Sequence, residues 1–260
     1  MLVVAGSATG FLVGLTGVGG GALMTPLLLL LFGVAPLSAV GTDLWFAAIT
    51  KMFATRVHQG QGLIDWQVAK RLWCGSLTSS AATLGWMALY PGAIESAAFL
   101  KMAVAGAVIV TASGLLFHKT LHSLGRRLRT THEKRFKSLQ GPLTVACGAL
   151  LGVLVTLTSV GAGALGAVFL VYLYPLRLTP SRLIATDIVH AIPLAMFAGI
   201  GHFAMGNINF ALLGNLLVGS VPAVILGAML SARLPQAFLR WILALVLMVI
   251  GAKLWWGAHQ

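Results

Sequence analysis

The chain has five acidic residues in 260, and two of them, Asp43 and Asp187, sit inside long apolar stretches. A carboxylate at membrane depth costs roughly 3 kcal/mol on insertion scales, so its presence there points to a use. Two chemistries suit the pair. Each can take up a proton and couple the movement of another solute to a proton gradient. Each can instead accept hydrogen bonds from backbone left exposed where a helix is broken. Thr42 and Thr186 directly precede the two aspartates, and their hydroxyls can donate to a bound oxyanion. His190 follows Asp187 by three residues, which places both on one helix face. A histidine there can relay protons or fill the interior. His58 and His202 occupy matching places at helix ends and are weaker candidates, with an interfacial or packing role as the alternative. Lys51 and Lys101 also lie in apolar stretches, where each either snorkels to the interface or adds positive potential for an anion.

A second set of groups is backbone rather than side chain. Gly19, Gly20 and Gly21 interrupt one apolar run, and Gly161 and Gly163 interrupt another. Glycine costs a helix interior about 1 kcal/mol relative to alanine, so each run is expected to break there. A half-helix that starts at a break aims unpaired N–H groups and the positive end of its dipole into the gap. Two such ends make an anion cradle without buried cations, and glycine lets a ligand approach the backbone closely. The alternative is that these glycines only allow helices to pack tightly.

The elements that hold these groups are written twice. TGVGGGAL at Thr16 to Leu23 returns as TSVGAGAL at Thr158 to Leu165, and MFATRVHQGQGLIDW from Met52 returns as MFAGIGHFAMGNINF from Met196. Pro36, Thr42, Asp43, Met52 and His58 recur 144 positions later, and Gly19 recurs 142 positions later. A duplicated apolar chain with glycine interruptions is the pattern of membrane transporters. Composition agrees. The chain is 58% hydrophobic and 8% charged, against about 25% charged in a soluble domain, so polar side chains cannot cover a water-facing surface.

Apolar blocks fall at about 1–15, 22–33, 36–56, 67–90, 97–118, 140–157, 164–175, 180–201, 209–230 and 237–257. A span needs roughly 20 residues. The blocks 1–15, 22–33 and 164–175 are too short to cross alone, and 140–157 is marginal. Each short pair around a glycine break is either one broken helix or a re-entrant hairpin. Seven Lys or Arg against one Glu between Lys119 and Lys137 place that segment on the cytoplasmic side. From there, only the hairpin reading keeps Arg177, Arg182, Arg233 and Arg240 near the cytoplasm, and it makes the two copies inverted relative to each other. The expected fold is an all-helical integral membrane protein of two homologous, inverted repeats. Each repeat has a glycine-broken helix pair plus about three spanning helices. The first repeat is residues 1–118, the second 140–260, and a basic cytoplasmic loop, 119–139, joins them as a solvated tether.

Several classes are disfavoured. The net charge of +12 is concentrated at block ends and in the basic loop, so it reads as topology and not as a nucleic-acid surface. Cys74 and Cys147 have no metal-ligand spacing. No GxSG, HExxH or phosphate-binding loop occurs, which argues against an enzyme and against direct use of ATP. No cofactor is expected. The first residues lack the basic start of a cleaved signal peptide.

At these residues the chain resembles the TauE/SafE family of sulfite exporters and anion permeases. GLTGVGGGALMTPLLLLLFG, AVGTDL and HQGQGLIDW look like the first half of its signature, and GALLGVLVTLTSVGAGAL, ATDI and INF like the second. The resemblance covers nearly the whole chain. It implies transport, without ATP, of sulfur-containing anions such as sulfite or organosulfonates across a bacterial inner membrane. Two departures stand out. The position after Thr in the AVGT signature is commonly Ser, whereas here it is Asp43, and Asp187 in the second copy. Ala162 stands where the first copy has Gly20.

The combined expectation is a multi-pass inner-membrane secondary transporter of a small anion, a sulfur oxyanion or organosulfonate, with protons as coupling ion. Gly19, Gly20, Gly21, Thr42, Gly161, Gly163 and Thr186 would bind the anion. Asp43, Asp187 and His190 would carry protons, with His58, His202 and Lys51 as lesser candidates. A passive anion channel and a non-transporting membrane scaffold or sensor are the alternatives.

Overall fold

The computed structural model describes residues 1–16, 21–58, 62–93, 96–231 and 236–257. It is helical throughout, with no strand among the described residues. The helices are α1 (Leu2–Thr16), α2 (Gly21–Leu31), α3 (Pro36–His58), α4 (Trp66–Leu89), α5 (Ala97–Leu116), α6 (His118–Thr131), α7 (Glu133–Thr158), α8 (Ala164–Leu173), α9 (Pro180–Ala204), α10 (Phe210–Ser231) and α11 (Gln236–Gly257). Among the described residues, five helices are long and apolar enough to cross a membrane: α5, α7, α9, α10 and α11. The chain is therefore a multi-pass membrane protein. Helices α3 and α4 are as long, but they carry Asp43, Lys51, Ser76, Ser80 and Thr83, which other helices cover.

Two differences from the apolar blocks have simple causes. The marginal block at 140–157 lengthens into the 26-residue α7, because the polar stretch from Glu133 to Gln140 continues the same helix upstream. The 119–139 segment, expected as a tether, is helical. It forms α6 and the first turns of α7, with Gly125 set against the backbone of Tyr172 and Phe136 packed edge-on to the Tyr172 ring. Leu121 of α6 packs against the core while Arg126 and Arg127 are exposed.

Small residues bring the long helices together. A methyl added at Gly6, Gly10 or Gly14 of α1 would strike Leu216, Ser220 or Val224 of α10. Gly148 and Gly152 of α7 meet Leu72 and Ser76 of α4 in the same way. In lipid, this close backbone approach supplies the packing that the hydrophobic effect supplies in water. The registers also give directions. Within each of the pairs α1–α10 and α4–α7 the residue numbers rise together, so the partners run parallel. Helices α3 and α9 run antiparallel, since Gly41 meets His202 and Trp45 meets Gly199. Helix α9 runs parallel to α4, with Trp73 on His190 and Leu84 on Gly201.

Candidate functional site

The second glycine break is fully formed. Helix α7 ends at Thr158, Ser159 turns left-handed at φ 58°, Gly161 and Gly163 take φ of 118° and 127°, and α8 begins at Ala164. A side chain would strain both glycine positions. Val160, Gly161, Ala162 and Gly163 are all buried. Non-helical backbone at this depth survives only where protein surrounds it. The N–H groups at the start of α8 precede its first intrahelical bonds, those of Gly166 and Ala167 to the Gly161 and Gly163 carbonyls.

Onto this break converge the ionisable side chains of α3 and α9. The Lys51 ammonium, 2% exposed, donates to the Ala162 carbonyl. It lies within electrostatic reach of Asp43, Asp187 and His190. Asp43 is fully buried, and its Oδ2 accepts from the Thr25 backbone N–H at 3.1 Å and the Thr25 hydroxyl at 2.5 Å. Its other face is turned to the Ser159 hydroxyl. Asp187 approaches the first turn of α8 so closely that a methyl at Gly166 would collide with its Oδ1. His190 Nε2 lies 3.0 Å from the Ser76 hydroxyl. Asp43 Oδ1, Ser159 Oγ, Asp187 Oδ1 and His190 Nδ1 are buried without a hydrogen-bond partner among the described residues. Asp43 and Ser159 face each other, but Asp187 Oδ1 and His190 Nδ1 have no such neighbour, and since a buried unsatisfied polar atom costs about 1–3 kcal/mol, they mark a site that something else completes. Among the described residues, no three His, Cys, Asp or Glu side chains group as a metal would need.

The other sequence candidates are placed as follows. Gly161 and Gly163 form the break just described. Gly19 and Gly20 lie outside the described residues, and Gly21 opens α2. The Thr42 hydroxyl accepts from the Asn209 N–H at 3.1 Å, and the Thr186 hydroxyl accepts from the Asp65 N–H at 3.0 Å. These two bonds are counterparts, since both partners are displaced by 144 positions. Thr186 also donates to the Arg182 carbonyl at 2.7 Å. Both hydroxyls thus tie a connector of one half to a helix of the other. His202 is buried, with Nε2 2.9 Å from the Thr156 carbonyl. His58 ends α3, and its side chain lies outside what is described.

Several participants were not prominent in the sequence. Lys51 reads there as a residue that either snorkels or adds positive potential for an anion, Ser159 stands two residues before Gly161 where the first copy has Gly17, and Thr25 and Ser76 look like ordinary helix hydroxyls. One signal was available for Lys51. Its counterpart 144 positions later is Ala195, so the lysine is no part of the repeated scaffold.

The model of the family described as "Sulfite exporter TauE/SafE" matches residues 2–254. The chain belongs to the TauE/SafE family. This TauE/SafE protein is 36% identical over 255 residues to the probable membrane transporter protein YjnA of Bacillus subtilis (strain 168), covering 97% of this chain and 98% of that one. A second relative in that organism, the probable membrane transporter protein YunE, is 37% identical over 76 residues, 28% of each chain. No solved structure matches the TauE/SafE chain. The resemblance read from the glycine blocks is thereby confirmed, and the protein is a membrane transporter by family.

Proposed function

We propose that the protein is a proton-coupled secondary transporter of a small sulfur oxyanion or organosulfonate, binding it at the second helix break beside Lys51. The observation that carries this reading is one buried lysine shared by two buried carboxyls at a break in the helix. Charge bookkeeping gives the coupling. Two carboxylates and one ammonium sum to one negative charge, which repels an anion. Protonating Asp187 alone brings the same groups to zero and removes that repulsion, leaving the Lys51 ammonium and the helix end to attract the anion. Anion binding therefore favours protonation, and protonation favours anion binding, by thermodynamic reciprocity. The N–H groups opening α8 and the Ser159 hydroxyl are the donors that meet the oxyanion, in the manner of other helix-terminus sites. The sulfur-oxyanion class comes from the family.

The reading includes two inverted repeats that rock about the site to give alternating access. The exchange of partners supports it. Helix α1 packs on α10 and α4 on α7, and by the internal offsets these two pairs are counterparts. Counterpart helices α3 and α9 run antiparallel, as inversion requires. The basic ends gather at one face, which the positive-inside rule makes cytoplasmic in a bacterial inner membrane. There Arg240 Nη1 lies 3.1 Å from His118 Nε2, and Arg177 binds Asp65. Burial, then Arg240 and His122, push the His118 imidazole down to about 4, so the neutral ring accepts from Arg240 at physiological pH. The test is uptake of labelled sulfite into proteoliposomes, with and without an imposed pH gradient. Saturable uptake that the gradient drives is expected. Uptake that is unsaturable and indifferent to the gradient would instead indicate a channel.

A further inference from the structure

The two halves share their helices but not the seam beside their counterpart aspartates. Along α9, His190 Nε2 lies 3.0 Å from Ser76 Oγ of α4. One turn further along α4, Ser80 Oγ lies 2.7 Å from Thr156 Oγ1 of α7. The Thr156 carbonyl in turn accepts from His202 Nε2 at 2.9 Å. All five side chains are buried, none more than marginally exposed. In the other half the counterparts of His190, Ser80 and Thr156 are Phe46, Val224 and Gly14, whereas Ser76 and His202 are matched, by Ser220 and His58. That second seam is apolar, with Val13, Ala54 and Val224 packed together and the Ser220 hydroxyl without a partner among the described residues. The same helix arrangement thus closes around methyl groups in one half. Packing does not require the hydroxyls of Ser80 and Thr156 or the imidazole of His190, and burying them carries a cost.

We infer that the α4–α7–α9 seam is the proton route between Asp187 and the end of the molecule opposite the basic helix α6. The inference rests on the proton-coupled reading and adds a path to it. Asp187 and His190 share one face of α9. His190 keeps one ring nitrogen on Ser76 and has the other, Nδ1, without a partner among the described residues, so the ring can accept a proton at one nitrogen and release one from the other. The step from Ser76 to Ser80 is one helical turn, about 6 Å, which one water can bridge. A proton that enters near His202 passes the Ser80–Thr156 pair, that water, Ser76 and His190, and ends on the Asp187 carboxylate. Each relay group gains one proton and loses one. The charged group acting on His190 from another helix is Lys51 of α3, and Asp187 stands three residues before it on α9. Helix α4 presents Ser76 and Trp73.

The test uses the full chain in proteoliposomes with two readouts. One is accumulation of labelled sulfite driven by a pH gradient. The other is exchange of labelled for unlabelled sulfite at equal pH, which needs no net proton movement. The double variant Ser76→Ala, Ser80→Ala is expected to lose gradient-driven accumulation by about tenfold while exchange changes less than about twofold, as befits a lost hydrogen-bonded relay. Ser220→Ala, on the apolar seam, is expected to leave both readouts unchanged, and Ser80→Thr to retain both. Gradient-driven accumulation by the double variant within about twofold of wild type would overturn the route, and so would an equal loss of both readouts. Absence of gradient dependence in the wild type would instead overturn the proton-coupled reading itself.

Discussion

Asp43 and Asp187 occupy equivalent places 144 residues apart, yet the protein treats them differently. Asp43 is held by the first turns of α2, where Thr25 gives it both a backbone and a hydroxyl donor. The residue matching Thr25 in the second copy is Ala167, so Asp187 has no such anchor. Gly166 instead admits it to the start of α8, where Oδ1 is left without a partner among the described residues. One lysine from the first copy serves both carboxyls and has alanine as its own counterpart. A duplicated scaffold thus supplied two similar sockets, and divergence made one a fastened carboxylate and the other a loose one. The comparison assigns bracing to Asp43 and proton exchange to Asp187.

The substitutions that would break this contrast rank by expected size. Lys51→Met removes the one cation identified at the break among the described residues and takes the counter-charge from two buried carboxyls. Removing one partner of a buried charge set costs about 3–5 kcal/mol, so labelled-sulfite transport is expected to fall by at least about a hundredfold. Retained transport would show that the helix ends alone hold the anion. Asp187→Asn should abolish the response to a pH gradient while leaving sulfite exchange at equal pH within about threefold of wild type, whereas Asp43→Asn should keep the pH response and lower the melting temperature in detergent. Equal loss of pH response in both would erase the distinction. Gly166→Ala pushes a methyl onto the Asp187 carboxyl, a clash worth about 1–3 kcal/mol, and is expected to slow gradient-driven uptake severalfold. The matching change on the fastened side, Thr25→Val, should lower thermal stability by about 1–2 kcal/mol and barely touch coupling.

The smallest effect concerns the connectors. Asp65 and Asn209 are counterparts, and each caps its helix, α4 or α10, and gives its N–H to a threonine of the other half. Only Asp65 adds an ion pair, with Arg177 Nε at 2.6 Å and Nη2 at 2.8 Å. Arg177 is 41% exposed, so water screens the pair. Arg177→Gln is therefore expected to change uptake less than about threefold, with a shift in the ratio of inward to outward rates, because the latch closes one face alone.

How much of this was legible in the sequence depends on range. The helical membrane class, the breaks and the intramembrane aspartates follow from composition and spacing along one helix, and these are local properties. The partners are not local. Thr42 and Thr186 stand beside the aspartates in sequence, which points their hydroxyls to an anion. Neighbours on a helix point about 100° apart, however, and the threonines face connectors from the opposite half. Lys51 could be read as snorkelling because its neighbours on α3 do not show that α8 begins within its reach. The helicity of 119–139 was hidden by its charge, since its apolar residues are few and need Tyr172 as a partner before they count. Pairing of α1 with α10 and of α4 with α7 depends on glycines meeting across about two hundred and about seventy residues respectively, beyond any periodicity.

The most direct test of the central claim follows protons while the anion moves. Proteoliposomes with a trapped pH dye would receive an outward or inward sulfite gradient at equal pH, with protein-free vesicles correcting for passive permeation of the neutral acid. The account predicts protein-dependent proton movement in the same direction as the anion, retained in Asp43→Asn and lost in Asp187→Asn. Labelled sulfite that crosses with no protein-dependent change in internal pH would contradict it.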